Sequence, residues 1–408
     1  MSNAQSEINI GTLGHVDHGK TTLTRAITGV WTDKHSESIK RSMTIKLGYA
    51  DAVIKKCEGC KGPSAYTTGD KCSCAEGKKP EPIRRISLLD APGHETLMAT
   101  AIAGSNIIDA VLFVISATEP CPMPQTKEHL MIIQTLGLSN VIVVQTKIDI
   151  IGKKKAKEHY DQIRKFLKGS VAENAPIIPV IANKDINVDA VLEQIAMLKV
   201  PERDEEADPL MYVARSFDVN KPGTSISKIV GGVIGGSIIK GKFKVGDEIE
   251  IRPGMNSSKG KKNSDQYKPI ITKVEALSAG SGDIEEAHPG GLIAIRTSMD
   301  PTFSKADSLV GNFVGKVGKL PKASSSLQIN YIAINRDDIP KQGFRDNEPL
   351  ILGIGTATTV GYIKAMKKDK LSLELKRQVC VEKGAKVSVL RNIGQRWRLT
   401  GYAEIMQV

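Results

Sequence analysis

The chain has 408 residues, 40% hydrophobic and 25% charged, enough material for two to three folded units with cores of their own. No apolar run approaches the about 18 residues of a membrane span, and the opening MSNAQSEINI lacks the basic, apolar and small-residue succession of a signal peptide. These features exclude a membrane-spanning or secreted reading and predict a cytoplasmic protein.

The net charge of +12 is unevenly spread: residues 1–207 hold 26 Lys+Arg against 25 Asp+Glu, residues 208–323 hold 17 against 12, and residues 324–408 hold 14 against 8. A basic second half joined to a neutral first half suggests a polyanionic partner for the second.

The first apolar run, INIGTLG from Ile8, is followed at wide intervals by RRISLLD, AVLFVIS, NVIVVQT and PIIPVIA, with helical patterns between them. Short, continuous runs of Val, Ile and Leu spaced in this way predict a buried parallel sheet in an α/β fold over residues 1–203.

Between the first run and the helical TLTRAITG lies GHVDHGKT, Gly14 to Thr21, which fits G-x-x-x-x-G-K-[ST]. Such a loop turns its backbone N–H groups inward to hold phosphate oxygens at a helix N-terminus. Lys20 is expected to reach the β- and γ-phosphates, and the Thr21 hydroxyl to ligate Mg²⁺.

Residues 57–74, CEGCKGPSAYTTGDKCSC, hold Cys57, Cys60, Cys72 and Cys74, four of the six cysteines. In a reducing compartment such a cluster points to metal or redox chemistry before structural disulfides. Cys121 and Cys380 stand alone and are expected to be small buried residues.

Further on, LLDAPGHE supplies D-x-x-G at the end of a strand. Asp90 is placed to act on Mg²⁺ through a bound water, and the Gly93 N–H can meet a γ-phosphate, so the loop can sense hydrolysis. His94 can orient the attacking water. The run VIVVQTKID then offers Asp149, whose carboxylate can accept from guanine N1 and N2, an arrangement adenine cannot satisfy. Lys147 would lay its stem over the base. Thr146 stands where guanine-nucleotide binders usually have Asn. In IPVIANKD, Ile181 and Ala182 stand where Ser-Ala is expected, and Ala182 can still present its N–H to guanine O6.

VPERDEEADP, bracketed by Pro201 and Pro209, reads as a linker. Beyond it, segments such as KFKVGDEIEIRPG and GGLIAIRT alternate apolar with polar residues and end in Gly/Pro turns. They predict β-barrels or sandwiches, over residues 208–323 and in a third, also β-rich, unit over 324–408 that is entered near GNFVGKVGKLPKA.

Taken together, GHVDHGKTTL, DAPGHE and the switch-like KRSMTIKLGYAD resemble a translational GTPase of the elongation factor Tu type. The cysteine insert between RSMTI and DAPGH, with RSFDVNKPG, GGVIGGSI, GDEIEIRPG, PGGLIAI and RWRLTGYA, is similar to the gamma subunit of initiation factor 2 in its archaeal or eukaryotic form.

The resemblance implies a P-loop GTPase domain with a zinc-knuckle insert, followed by two β-barrels. It implies GTP or GDP held by Asp17, His18, Gly19, Lys20, Thr21 and Thr22, with Mg²⁺ shared among Thr21, Thr44, Asp17, Ser42 and Asp90. It further implies one structural Zn²⁺ on the four thiolates of Cys57, Cys60, Cys72 and Cys74. The cargo implied is methionylated initiator tRNA for the small ribosomal subunit, and the companions are alpha and beta subunits of a heterotrimer. In related factors the tRNA 3′ end approaches small residues of the second domain, for which Gly232, Gly235 and Gly236 are candidates. Ser42 stands where the family usually has Gly, and Val16 and Met43 occupy an apolar gate that implies slow hydrolysis without a partner. Two alternatives stay open: an elongation or selenocysteine-specific factor, and a non-switching RNA-binding protein with a vestigial nucleotide site.

Overall fold

The structure is a computed structural model and describes residues 5–32, 47–72, 74, 78–93, 98–256, 267–280, 282–334, 336, 339 and 342–407. The chain divides into two compact units, Ser6–Pro201 and Glu202–Val408 together with the N-terminal Met1–Gln5.

The first unit contains β1 (Ile8–Leu13), β2 (Gly48–Lys56), β3 (Tyr66–Thr67), β4 (Glu81–Asp90), β5 (Ala110–Ser116), β6 (Val141–Thr146) and β7 (Ile177–Pro179). Its helices are α1 (Lys20–Thr28), α2 (Met98–Ser105), α3 (Pro124–Leu136), α4 (Ile148–Leu167) and α5 (Val188–Met197). The strands form one sheet in the order β3-β2-β4-β1-β5-β6-β7. Neighbours from β4 through β7 run parallel, while β2 joins β4, and β3 joins β2, antiparallel.

Every residue of β1, β5 and β6 is buried, which is why these strands read as unbroken apolar runs instead of alternating ones. Ile10, Leu88, Leu112 and Val144 form one core with Leu23 and Ile27 of α1 and Val191 and Ile195 of α5. All the parallel strands therefore end on the same edge, where open α/β sheets place their ligands.

The cysteine-rich segment is an insert between β2 and β4. The Cys57 N–H donates to the Ala65 carbonyl at 2.8 Å and the Cys60 N–H to the Cys57 carbonyl at 3.4 Å. Cys57 and Cys72 are buried and Ala65 is fully enclosed, while Tyr66 packs on the main core.

In the second unit, β8 (Leu210–Phe217), β9 (Val233–Lys240), β10 (Phe243–Lys244), β11 (Glu248–Asn256), β12 (Tyr267–Ala279), β13 (Gly282–Ile284), β14 (Glu286–Ala287), β15 (Ile293–Thr297) and β16 (Phe313–Lys316) come first. Seven of these form a sheet in the order β11-β16-β8-β9-β15-β12-β13, and an added β11–β12 pairing closes it into a barrel. The inward residues, among them Met211, Ile234, Ile251, Leu277 and Ile295, fill its centre.

A second closed barrel follows, built from β17 (Ala323–Ala333), β18 (Pro349–Ile354), β19 (Ala357–Lys367), β20 (Lys370–Cys380), β21 (Lys386–Ile393) and β22 (Arg396–Gln407) in the order β17-β20-β19-β18-β21-β22. Where the barrels meet, Leu210, Phe313, Leu320 and Cys380 are buried together, and Tyr212 stacks on Phe313 at 4.6 Å between ring centres. Cys380 thus fills the buried role expected of it, whereas Cys121 is only half-buried. Among the described residues no helix is long and apolar enough to cross a membrane.

Candidate functional site

The loop joining β1 to α1 is shaped by backbone that few residues tolerate. Gly14 has φ 148°, and a Cβ there would run into the Val114 carbonyl on β5. Asp17 and Gly19 also have positive φ, 59° and 87°. Gly19 caps α1 with no side-chain hydrogen bond to the helix, so the first N–H groups are not taken up by a capping side chain and can receive an anion.

Lys20 closes this loop from below. Its Nζ donates to the Gly14 carbonyl at 2.9 Å and the His15 carbonyl at 2.7 Å. Burial pushes its pKa down to about 8, against the opposing charges of Asp90 and Asp17. Thr22 is half-buried on the first turn of α1, and Asp17 is exposed.

His18 turns its ring away from the loop's hollow: Nδ1 lies 3.1 Å from the Val114 carbonyl and Nε2 lies 3.1 Å from Glu119. Burial pushes its pKa down to about 4, opposed by the Glu119 and Val114 contacts, and what His18 can offer a ligand is backbone. Behind it, His129 of α3 is fully buried, and its pKa is pushed down to about 3, chiefly by burial and then by the Lys20 charge.

Asp90 ends β4 with no exposed surface. The parallel register sets it beside Thr12 of β1. Its Oδ1 accepts from Thr12 Oγ1 at 3.0 Å, and its Oδ2 accepts from Thr21 Oγ1 at 2.6 Å and from Thr32 Oγ1 at 2.8 Å. Burial raises the Asp90 pKa; the Thr21 hydrogen bond, the Lys20 charge and the other two hydroxyls oppose the shift by favouring the carboxylate. Gly93 follows with its Cα against the loop, where a Cβ would meet the Lys20 ammonium and lie 2.7 Å from the Gly14 carbonyl. A buried carboxylate, a helical hydroxyl and an ammonium at a helix N-terminus are the donor set that suits Mg²⁺ and phosphate oxygens.

At the far side of the same sheet edge, the buried Thr146 donates its hydroxyl to the His18 carbonyl at 2.6 Å, tying β6 to the loop. Lys147 follows in left-handed conformation at φ 58°. Asp149 lies in the first turn of α4, and its Oδ2 accepts from Lys184 Nζ at 3.3 Å. Ala182 opens a short 3₁₀ turn after β7. Ser42, Met43, Thr44 and His94 lie outside the described residues.

Thr12, Thr32, His129 and Lys184 were not singled out from the sequence. Thr12 carried a signal, a hydroxyl inside a strand otherwise destined for burial, which must find a partner. Thr32 carried none.

The four clustered cysteines are drawn together as expected, but the structure joins them in pairs, Cys57–Cys72 and Cys60–Cys74, with Cα separations of 5.8 and 6.4 Å. A disulfide sulfur has no thiolate to give a metal, so zinc and these bonds are alternative fates of one cluster. The Cys57 to Cys60 turn and the Cys57–Ala65 contact are set by backbone hydrogen bonds and do not depend on the sulfurs.

The three candidate glycines of the first barrel differ. A Cβ on Gly232 would lie 2.6 Å from Ser304 Oγ, and one on Gly236 would run into the Tyr212 carbonyl; one on Gly235 would have nothing nearer than the Ile293 carbonyl at 3.7 Å. The barrel's own packing accounts for the first two and leaves Gly235 open.

Residues 5–200 match the elongation factor Tu GTP binding domain family, residues 231–306 match elongation factor Tu domain 2, and residues 328–405 match the C-terminal domain of initiation factor eIF2 gamma. The chain is 50% identical over 412 residues to the translation initiation factor 2 subunit gamma of Methanococcus vannielii, covering 100% of both chains. It is 48% identical over 409 residues to that of Pyrococcus furiosus, covering 99% of this chain and 98% of the relative.

Among solved structures, a bacterial selenocysteine-specific elongation factor is similar with a TM-score of 0.73 at 25% identity, over 98% of this chain and 58% of the other. The elongation factor SelB of Methanococcus maripaludis with a GTP analogue shares the fold with a TM-score of 0.72 at 22% identity, over 99% of this chain and 79% of the other. The full-length likeness at half identity separates the chain from these elongation factors: it belongs to the translation initiation factor 2 gamma-subunit family and is a translational GTPase.

Proposed function

We propose that this chain is the GTP-dependent carrier of methionylated initiator tRNA, acting in the cytoplasm with alpha and beta subunits as a heterotrimer and delivering its cargo to the small ribosomal subunit. The observation that carries the reading is the gathering of Lys20, Thr21 and Asp90 at the N-terminus of α1 with Gly93 against them, in a chain half identical over its whole length to named initiation factors. A site that touches both the phosphate loop and D-x-x-G can couple the presence of a γ-phosphate to the position of a loop.

In this reading residues 1–203 are the GTP-binding domain, and residues 208–323 and 324–408 are the barrels. The backbone from Asp17 to Thr22 cradles the phosphates and Lys20 neutralises them. Thr21, Thr44, Asp17, Ser42 and Asp90 would hold Mg²⁺, which would supply neutralisation of phosphate charge when bound. Asp149 and the Ala182 N–H read guanine, with Lys147 over the base; the Thr146 hydroxyl secures the loop and leaves base recognition to Asp149. His94 orients the attacking water. Cys57, Cys60, Cys72 and Cys74 hold Zn²⁺ when reduced, stiffening a knuckle that has little core of its own. Gly235, the glycine that its own barrel does not require, is the point of closest backbone approach for the tRNA end.

Single-turnover GTP hydrolysis on the small ribosomal subunit tests the assignment. His94→Ala should slow hydrolysis by about 10²-fold or more while leaving GTP affinity within about twofold, because the residue acts on water and not on the bound nucleotide. Unchanged turnover would remove His94 from the mechanism.

A further inference from the structure

Three hydroxyls meet the buried carboxylate of Asp90, and the reading above uses only one of them. Thr12 belongs to the sheet interior and Thr21 to the phosphate loop. Thr32 comes from neither: it is four residues beyond the end of α1, at the threshold of residues 33–46, which carry Ser42 and Thr44. Its Oγ1 donates to Asp90 Oδ2 at 2.8 Å, the same oxygen that accepts from Thr21 at 2.6 Å.

Gly48, the first residue of β2, lies at the same point and pairs with Asp90 across the β2–β4 ladder. A Cβ on Gly48 would lie 2.7 Å from Thr32 Cβ, 3.2 Å from Thr32 Oγ1 and 3.4 Å from Asp90 Cβ. Thr32 therefore lies against Gly48 and spends its hydroxyl on Asp90, so the start of β2 and the chain just beyond α1 meet beside the end of β4.

We propose that Thr32 is a positioning residue for nucleotide and Mg²⁺ retention: its hydroxyl fixes Asp90 Oδ2. The proposal rests on Asp90 serving the metal site as read above. A fully buried carboxylate that loses one of its donors is both less firmly aimed and less well compensated for its missing water. Threonine supplies the hydroxyl that Asp90 accepts from, on a Cβ that lies close to Gly48. Valine keeps the shape and loses the hydroxyl; serine keeps the hydroxyl and loses the methyl.

The test compares wild type, Thr32→Val and Thr32→Ser in the dissociation of a fluorescent GTP analogue at stepped Mg²⁺, with thermal melting of the nucleotide-free proteins alongside. Thr32→Val should need about tenfold more Mg²⁺ for half-maximal retention, with a melting temperature lowered by a few degrees at most, the cost of one donor lost to a buried carboxylate. Thr32→Ser should stay within about twofold of wild type. A Thr32→Val protein that matches wild type at every Mg²⁺ concentration overturns the proposal, and so does a Thr32→Ser protein as impaired as the valine variant, since packing and not the hydroxyl would then be responsible. Wild-type retention that ignores Mg²⁺ would overturn the Asp90 reading itself and this proposal with it.

Discussion

Raising the pH from 7 to 9 should loosen nucleotide binding through Lys20 alone. Burial holds this ammonium at a pKa of about 8, below its usual 10.5, while the phosphates of a bound nucleotide stabilise the charged form and lift the value. Affinity is then complete where the free site is protonated, below about 8, and is lost as pH rises above it. The protonated fraction of the free site falls from about nine-tenths at pH 7 to about one-tenth at pH 9. The dissociation constant for GDP should rise about tenfold over that range, about 1.4 kcal/mol.

The sign for stability is opposite. A lysine whose folded pKa is depressed makes the unfolded chain the better proton binder between about 8 and 10.5, so its contribution to the stability of the nucleotide-free protein grows with pH. Weakened binding and a merely loosened fold are thereby distinguishable. The assay is fluorescence anisotropy of labelled GDP at fixed ionic strength and saturating Mg²⁺, with Lys20→Arg as the variant that cannot titrate. Wild-type affinity that is flat or rising from pH 7 to 9 would refute the reasoning.

Protein purified under reducing conditions without chelator should carry one zinc per chain by elemental analysis, and mild oxidation should release it and yield Cys57–Cys72 and Cys60–Cys74 by mass spectrometry; near-zero metal with four rapidly titrating thiols would count against the zinc assignment. Asp149→Asn should cut the preference for GTP over ATP by at least about tenfold in competition binding, and a wild type that binds both equally would show that TKID does not read the base. Gly236→Ala should cost about 2 kcal/mol or more in denaturant unfolding, because its Cβ enters the Tyr212 carbonyl. Gly235→Ala should stay within about 0.5 kcal/mol of wild type while weakening tRNA binding.

The parallel sheet was legible because strands buried on both faces are continuous apolar runs, and β1, β5 and β6 have no exposed residue. The P-loop and D-x-x-G were legible for a different reason: the positive φ at Gly19 and the close approach at Gly93 restrict which residues fit.

What could not be read depends on chain segments meeting from afar. Thr12 reaches Asp90 only through the β1–β4 register, and Thr32 meets it from 58 positions away in the chain. His18 sits inside the motif, yet its ring belongs to Val114 and Glu119, partners about a hundred positions away, so local spacing could not show that the ring leaves the loop. The three barrel glycines look alike in GGVIGG, and only the crossing strands reveal that Gly232 and Gly236 are required by packing while Gly235 is not. Cysteine spacing located the cluster without saying how its sulfurs pair.

In the proposed function, nucleotide state controls possession of initiator tRNA. The most direct test of this control is a filter-binding series with GTP analogue or GDP, methionylated or uncharged initiator tRNA, and stepped salt. The methionylated tRNA with the GTP analogue should bind tightest, every affinity should fall as salt rises because Lys and Arg beyond residue 208 meet phosphates, and removing the methionyl group should weaken binding at every salt concentration. Equal affinities for all four combinations would contradict it, leaving a basic surface that holds RNA without regard to nucleotide or cargo.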